Sequence, residues 1–447
     1  MLDFANIEKY RENNRIEAKK ALGGFPHSIW ETYSAFANTM GGIILLGVEE
    51  YRDKTFHTVD LPNPEALVKE FFAGLNDRKT VNVNIISEND VKIHEIDGNH
   101  IIAINVPRAR RADKPVYIGT DPNSGTYRRN GEGDYRCTPE EISAMMRDSE
   151  FRSADLRSAE GADISDFDLE SIKDYCLRIG KDSISEYARF LTDIGVINSE
   201  GGSLKPSVAG LLTFGKNDKI VEKFPKFSLE YIENGIELRG KNLWDFYVFV
   251  SDKLSKMSDE VSVCDALREA LANCLTNADY NANGGIVVSY RDGAVSFSNP
   301  GGLRIDVDTA IGGGVSDPRN EAIAKIFNLA RIGKGRGRGI SSIYRTWKKQ
   351  GFAAPVFEEG FEPDRVTLVL DLGHSRVDKH IGKKITAHIK DVITDYLTVN
   401  ISATLEEISQ LLGISQDVAD KMLSELIDEE IIICEGDRNC GIYKLRA

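Results

Sequence analysis

Apolar and polar residues alternate along this chain with two periods. "SIWETYSAFANTM" (28–40) repeats every three to four residues and predicts a helix, and the Gly-led run "GGIILLGVEE" (41–50) predicts a buried strand. "VNVNIIS", "VKIHEID" and "HIIAINVP" (81–107) alternate as antiparallel strands do. "TPEEISAMMRDSE" (138–150) reads as a helix with Thr138 as N-cap and Glu141 three residues on. Residues 151–164, "FRSADLRSAEGADI", are polar and weakly patterned, which fits a linker. Residues 165–215 are helical in pattern, with a small wing-like hairpin near 195–206. Beyond 225, strands and helices alternate: a strand at 227–234, helices at 242–257 and 263–278, and a last strand at 365–372. "GIVVSYRDGAVSFSNPG" (285–301) is a hairpin turning at Asp292-Gly293. Residues 376–447 are helix-rich and end in a terminal hairpin. The pattern predicts an α+β multidomain protein with units at 1–150, 165–224 (a helical, winged connector), 225–375 and 376–447.

The 447 residues carry 56 Lys and Arg against 70 Asp and Glu, a net charge of −14, so any nucleic-acid contact must use a local basic patch. The longest apolar run, 43–48, is too short to cross a bilayer, and the charged start lacks a signal core. A cytoplasmic protein without membrane contact is expected. Six scattered cysteines form no metal-type spacing and read as free thiols.

Three short stretches carry candidate chemistry. In "DALREALANCLTNADY" (265–280), Leu267, Ala270, Leu271 and Cys274 mark one apolar face, while Glu269, Asn273 and Asn277 recur every four residues on another side. On spacing alone that second side fits an ordinary solvated face. "SFSNPGGLR" (296–304) ends a strand in a tight turn. "GKGRGRGI" (333–340) alternates glycine with Lys334, Arg336 and Arg338 before a helix. Glycine lets backbone N–H groups approach a phosphate chain, and a helix N-terminus adds free donors. An Asn oxygen suits Mg2+, and a Glu one turn away suits orientation of water. The same glycine run also fits a nucleic-acid arm, although such arms carry more aromatics.

Taken in order, these stretches resemble the GHKL ATPases, an α/β-sandwich fold. They resemble in particular the divergent GHKL-like domain that follows Schlafen AlbA-type domains in bacterial regulators. The resemblance implies an ATP site with Mg2+. Glu269 would activate water and Asn273 would hold the metal. Asn299, Gly301 and Gly302 would form the adenine-side box, with Asn299 where the family usually has Asp. Asn277 stands where relatives often have His. Lys334, Gly335, Gly337 and Gly339 would form the phosphate side, and residues 303–333, with Arg319 and Asn320, would be the ATP lid.

The front end, "RENNRIEAKKALGGFPHSIWETYSAFANTMGGIILLGVEE" with "KPVYIG" and "TYRRNGEGDYRCTPEEI", resembles the Schlafen AlbA-type domain. Asn38 and Gly41-Gly42 fit fold architecture. Arg108, Arg110, Arg111, Lys114, Arg128 and Arg129, interleaved with Tyr117, Tyr127 and Tyr135, fit a nucleic-acid surface or a charged face paired with acids. Some Schlafen relatives cleave RNA with paired Glu residues. Here Glu12, Glu17 and Lys19, with Glu49, Glu50 or Asp53 as a third ligand, would be the matching metal-dependent site.

The tail (403–445) resembles a winged helix-turn-helix. Its second helix offers Gln416, Asp417, Asp420, Lys421, Glu425, Asp428 and Glu429, which phosphates would repel, so a protein contact is favoured over DNA reading. Arg376, Lys379, Lys383, Lys384 and Lys390 soften that. The leading expectation is an ATP-binding, nucleic-acid-binding regulator, homodimeric by resemblance to GHKL modules. The alternatives are a metal-dependent, ATP-gated nuclease with a place in defence against foreign nucleic acid, and a nucleotide fold that serves only as a dimerisation device.

Overall fold

The structure is a computed structural model. It describes residues 12–13, 15–181, 187–233, 235–361 and 363–373. From 393 onward it describes 393–394, 396–397, 400, 402–412, 419–420, 423–424, 426–427, 431–435 and 442–446. The chain is a mixed α+β protein and divides into two compact units. One holds residues 1–109, 113–142 and 377–447; the other holds 110–112 and 143–376.

In the first unit a four-stranded sheet has the order β1 (Ile16–Lys19), β2 (Gly42–Leu46), β6 (Asn99–Val106), β5 (Val91–Ile96). β1 runs parallel to β2, and the other neighbours are antiparallel. Both faces of the sheet are covered, so β2 reads as a continuous apolar run. Ile44 and Leu46 pack on α1 (Ser28–Asn38) and α2 (Pro64–Asn76), while Leu45 turns to a second cluster with Val48 and Phe56. Those two residues belong to the small hairpin β3 (Val48–Glu50) and β4 (Phe56–Thr58). Helix α1 stops at Asn38. Its amide donates to Val116 O (2.7 Å) and Tyr127 O (3.0 Å) and accepts from Val116 N (2.9 Å). Gly41 then turns with φ +74°, where a Cβ would lie 2.8 Å from Val106 O. After the short helix α3 (Pro122–Gly125), hairpin β7 (Tyr127–Asn130) and β8 (Gly133–Arg136) leads to α4 (Pro139–Ser149). The capping box at Thr138 forms: Thr138 N donates to Glu141 Oε2 (2.7 Å), and Glu141 N donates to Thr138 Oγ1 (3.3 Å).

One expected strand does not form. Residues 81–87 are irregular, and their alternation serves side-chain bonding rather than a ladder. Asn82 donates to Pro115 O (3.0 Å) and accepts from Tyr117 N (2.8 Å); Tyr33 Oη accepts from Ile85 N (3.0 Å).

The second unit has one large core. Helices α5 (Leu169–Arg178), α6 (Tyr187–Asp193), α7 (Val208–Phe214) and α8 (Asn217–Lys223), with hairpin β9 (Ile197–Glu200) and β10 (Ser203–Pro206), precede a six-stranded sheet. Its order is β12 (Ile236–Arg239), β11 (Leu229–Glu233), β13 (Ile286–Arg291), β14 (Ala294–Pro300), β16 (Asp364–Asp371), β15 (Val356–Phe361). Only β11 and β13 are parallel. Asp292 and Gly293 both take positive φ in the β13–β14 turn, as a tight hairpin requires. Helices α9 (Leu243–Leu254), α10 (Val261–Asn277) and α13 (Gly339–Gln350) bury Trp244, Leu267, Leu271, Ile343 and Trp347 against Val288, Phe297 and Leu370 of the sheet. Between β14 and α13 lie α11 (Val307–Gly312) and α12 (Glu321–Leu329).

Residues 151–164 are not a loose linker. Ser153 donates to Arg319 O (2.8 Å), Asp155 accepts from Ile323 N (2.9 Å) at the start of α12, and Ala159 and Ala162 join the core. The segment's polar residues cap a helix, which is why it lacks an apolar period.

At the C-terminal end, β17 (Ala403–Thr404), β18 (Ile432–Glu435) and β19 (Ile442–Leu445) form an antiparallel sheet of order β17-β19-β18 beside α14 (Leu405–Leu412). Asp420 is described. Gln416, Asp417, Lys421, Glu425, Asp428, Glu429 and the basic set at 376–390 lie outside the described residues. Among the described residues no helix is long and apolar enough to cross a membrane, and Cys137, Cys176, Cys264, Cys274 and Cys434 are free thiols.

Candidate nucleotide site

Between α10, the β14 end and the glycine run lies a cavity of about 230 Å³, entirely within the second unit. Glu269, Asn273 and Asn277 line it from α10, Asn299 and Gly302 from the strand end, and Gly335, Gly337 and Gly339 from the glycine run. The polar side of α10 is therefore not a solvated face. Glu269 is only 6% exposed, and Asn273 Nδ2 is buried without a hydrogen-bond partner among the described residues. The floor is apolar: Phe297, Val366 and Leu368 of the sheet.

Glu269 has a defined setting. Its Oε2 accepts from Lys334 N (2.8 Å), which joins α10 to the glycine run. Burial raises its pKa above the ordinary carboxylate value, and the Lys334 N–H and positive charge only partly oppose that. A buried carboxylate of this kind, held at the cavity wall, is suited to orienting water.

The glycine run is shaped by contacts that exclude side chains. Gly333, Gly335 and Gly337 have φ of +78°, +55° and +66°. A Cβ on Gly337 would collide with the Val315 backbone, and one on Gly339 with Glu269 Oε1. Gly337 O accepts from Gly314 N (3.0 Å). Gly339 then opens α13, whose first-turn N–H groups have no side-chain cap at Arg338. Unsatisfied donors and the helix dipole meet at the cavity's edge.

Gly301, Arg319 and Lys334 stand behind the lining rather than in it. Arg319 is spent on the protein. Its Nε and Nη2 bind Asp148 at 2.8 and 2.7 Å, Nη2 also reaches Gly302 O (3.0 Å), and Nη1 binds Asn277 O. Burial works against its charge, but the Asp148 pair overrides this and raises its pKa. Arg319 thus braces the turn after β14 and spends four of its five N–H donors on the protein. Gly301 (φ +95°) makes room for it: a Cβ there would sit 2.5 Å from Nη1. Lys334 Nζ is hydrogen-bonded to Ser342 Oγ. Asn320 ties segment 303–333 to the end of α10 through Thr276 O (3.1 Å) and Ala278 O (2.8 Å).

Three residues at the site carry no signal that the spacing argument used. Arg304 lines the cavity and donates to Pro318 O (2.8 Å) and Asp148 O (3.2 Å). Asp317, also lining, pairs with Arg111 (2.5 Å). Asp148 lies more than 120 residues before the nearest box, so nothing local marks it. Arg304, directly after "NPGGL", is the one whose proximity to a candidate stretch is visible in the sequence.

The N-terminal basic set is mostly consumed within the protein. Arg129 is 3% exposed, pairs with Glu17 (2.8 Å) and Asp134 (2.9 Å), and sits over the Phe36 ring. Arg128 pairs with Glu141 (3.2 Å), and Lys114 Nζ donates to Asn38 O (2.9 Å). Arg111 belongs to the second unit, where it also donates to Asp148 O (2.9 Å) and Glu150 O (3.0 Å). Arg108 and Arg110 interact with other groups as well. Tyr127 is buried, Tyr117 half-buried and Tyr135 exposed. The six cations are therefore not one open patch.

The carboxylates at the front are likewise paired. Glu17 binds Lys19 (2.7 Å) and Arg129, Glu50 binds Lys54 (3.1 Å), and Glu49 binds Lys20. Glu12 accepts from Ala18 N (3.1 Å), with its pKa raised by burial and by Glu17. Among the described residues no group of three or more His, Cys, Asp or Glu is placed to hold a metal.

Comparison with known proteins agrees with this layout. A family profile described as "Schlafen, AlbA_2" matches residues 12–138. One described as "Putative ATP-dependent DNA helicase recG C-terminal" matches 284–370, and a domain of unknown function (DUF8451) matches 143–230. No curated protein sequence matches. Two solved structures are similar. One is a protein from Corynebacterium diphtheriae, at 15% identity over 97% of this chain and 95% of that one, with TM-score 0.40. The other is the N-terminal domain of a putative ATP-dependent DNA helicase RecG-related protein from Nitrosomonas europaea. It is 29% identical over 31% of this chain and 95% of that one, with TM-score 0.25. This chain carries a Schlafen AlbA_2 domain at residues 12–138 and, at 284–370, a RecG C-terminal-like, ATPase-related domain.

Proposed function

We propose that this protein is an ATP-binding, nucleic-acid-binding regulator whose nucleotide site is the cavity between α10 and the glycine run. The observation that carries this reading is the convergence of Glu269, Asn273, Asn299 and Gly335, Gly337 and Gly339 on one cavity. The residues present fit the nucleotide and its metal. The buried Asn273 Nδ2 is an N–H donor without a partner among the described residues, which suits a phosphate oxygen, while its Oδ1 is the atom that suits a metal; the glycine run excludes Cβ atoms, and α13 opens without a side-chain cap. Asn299 offers polar atoms to the base, and the sheet's apolar residues form its floor. Asn273 would hold Mg2+, which when bound neutralises phosphate charge. Glu269 orients water from the wall of the cavity. Lys334, Arg336 and Arg338 supply positive field from the loop.

The lid, residues 303–333, is where occupancy acts. It rests on Gly337 O through Gly314 N and on the Arg319–Asp148 pair, so a ligand at the glycines changes what the lid contacts. The Schlafen AlbA_2 domain supports nucleic acid as the partner, and the RecG-type profile supports the same association. A winged-helix tail, a homodimer, transcriptional control and a cytoplasmic site belong to this reading as its finer parts. The engagement of Glu17 by two cations favours binding over cleavage at the front end.

Titration calorimetry with ATP and Mg2+ tests the site. The wild type is expected to bind, and Asn273→Ala to bind on the order of tenfold more weakly or worse, the loss of one charge-assisted contact. Absence of binding heat in the wild type would remove ATP from this account, and equal affinity in the variant would remove Asn273 from the site.

A further inference from the structure

The chain is strongly acidic, yet residues 322–357 contain no Asp or Glu and eight Lys and Arg. Arg331, Lys334, Arg336, Arg338, Arg345, Lys348 and Lys349 are all exposed, and none forms an ion pair among the described residues. Elsewhere many cations are paired, even ones as exposed as Lys256 with Asp252 (2.6 Å), and those left unpaired among the described residues, such as Lys92 and Arg291, are not gathered in an acid-free run of this length. An acid-free, cation-rich segment in a chain of net charge −14 is therefore a local feature with its own field, although Asp308 of the neighbouring α11 lies near Tyr344.

Four of these cations fall on one line. Arg338 is the N-cap of α13, and Arg345, Lys348 and Lys349 follow at seven, ten and eleven residues, which the 3.6-residue repeat places on one side. Ile343 and Trp347 on the other side are fully buried. At about 1.5 Å per residue the line is roughly 16 Å long. Phosphates on one strand of a duplex recur about every 3.4 Å of helix axis, so a line of this length reaches several.

We propose that the exposed side of α13 binds the phosphate backbone of nucleic acid, as a contact additional to the N-terminal domain. Helix-dipole compensation accounts for Lys348 and Lys349 in the last turn, but not for Arg345 in the middle or Arg338 at the start, where a cation opposes the dipole. A lipid surface is the poorer fit. Interfacial helices bury an apolar face in the membrane, whereas α13 commits its apolar face to the protein core and exposes no large hydrophobic residue. Tyr344 Oη donates to Pro355 O (2.8 Å), so no free ring stands ready for base stacking. The surface reads charge and spacing, not sequence. This inference does not depend on nucleotide binding.

The test uses the full chain with Arg345, Lys348 and Lys349 all changed to Gln, and a charge-keeping control with Arg345→Lys, Lys348→Arg and Lys349→Arg. Fluorescence anisotropy with a labelled 20-base-pair DNA duplex, the matching RNA duplex and a single strand gives affinity across a salt series. The Gln variant is expected to bind on the order of tenfold more weakly in 0.1 M salt. Its slope of log K against log salt for the DNA duplex should be shallower by about 2 to 3, near 0.9 per lost phosphate contact. The control should bind as the wild type does, and melting temperatures should match. The preferred probe identifies which nucleic acid the surface takes. Unchanged affinity and slope in the Gln variant overturn the proposal. So does a Gln variant that loses only binding to phosphatidylserine-containing vesicles, since the surface would then read lipid.

Discussion

Arg319 makes four hydrogen bonds, to Asp148, Asn277 and Gly302, and its side chain is 9% exposed. Removing its partner leaves a buried, uncompensated cation. Asp148→Asn is expected to destabilise the second unit by about 3 kcal/mol, the low end for a broken buried pair because Asp148 keeps 27% exposure. The pH dependence follows from the direction of the shift. Burial alone would raise the Asp148 carboxyl, but Arg319, with Arg304 and Arg147, holds it below the ordinary Asp value. A depressed native pKa contributes stability that is fully present above the unfolded value, near 3.9, and is lost as pH falls through the native value. In urea melts, the gap between wild type and Asp148→Asn should therefore hold from pH 7 to about pH 5 and narrow progressively as pH falls below the ordinary Asp value. A gap that stays constant into acid would mean that the pair contributes shape rather than charge. Asp148 also shows why pairings escape sequence reading. It reaches Arg319 across 171 positions, so no local spacing joins the two. Arg129 shows the converse: "YRRN" looks like surface charge, but its second Arg anchors two carboxylates in the interior.

Helices and strands with a strong period were legible because burial on one side leaves a visible repeat. α1, α10 and the β13–β14 hairpin follow this rule. The glycine run was also legible, since its left-handed φ values and its contacts with Val315 and Glu269 admit few other residues. What the pattern misreads is side-chain service to loops, as in 81–87 and 151–164, where alternating or scattered polar residues bond to backbone instead of facing water. The three glycines before α13 sharpen this point, for they differ in kind. Gly337→Ala combines a left-handed φ with a collision against Val315, whereas at Gly333 the nearest atom to a Cβ is 3.6 Å away. Gly333→Ala is expected to cost about 1–2 kcal/mol, the strain of a left-handed L-residue. Gly337→Ala should do more: it pushes Val315 away and breaks the Gly314–Gly337 bond that seats the lid. Limited proteolysis should then cut 303–333 faster in Gly337→Ala than in Gly333→Ala. Equal cutting would show that the lid is held elsewhere.

The two units bury separate cores. The cluster containing Trp244, Phe297 and Trp347 lies in the second, and the clusters around Phe36 and Phe71, and around Leu45 and Phe56, lie in the first. A ligand that binds only the folded form stabilises it by RT ln(1 + [L]/Kd), about 2.7 kcal/mol at a hundredfold excess over Kd. Every residue assigned to the nucleotide cavity belongs to the second unit, so that free energy enters its core first. Scanning calorimetry of the whole chain is expected to resolve more than one transition, and ATP with Mg2+ should raise the one that Asp148→Asn lowers. The transition left unmoved by both should shift instead with Arg129→Ala, which strips Glu17 and Asp134 of their shared cation. If ATP raised every transition equally, nucleotide free energy would be spread through both cores, and the lid would be one part of a wider linkage. If ATP moved only the transition that answers to Arg129, the cavity described here would not be the place where nucleotide binds.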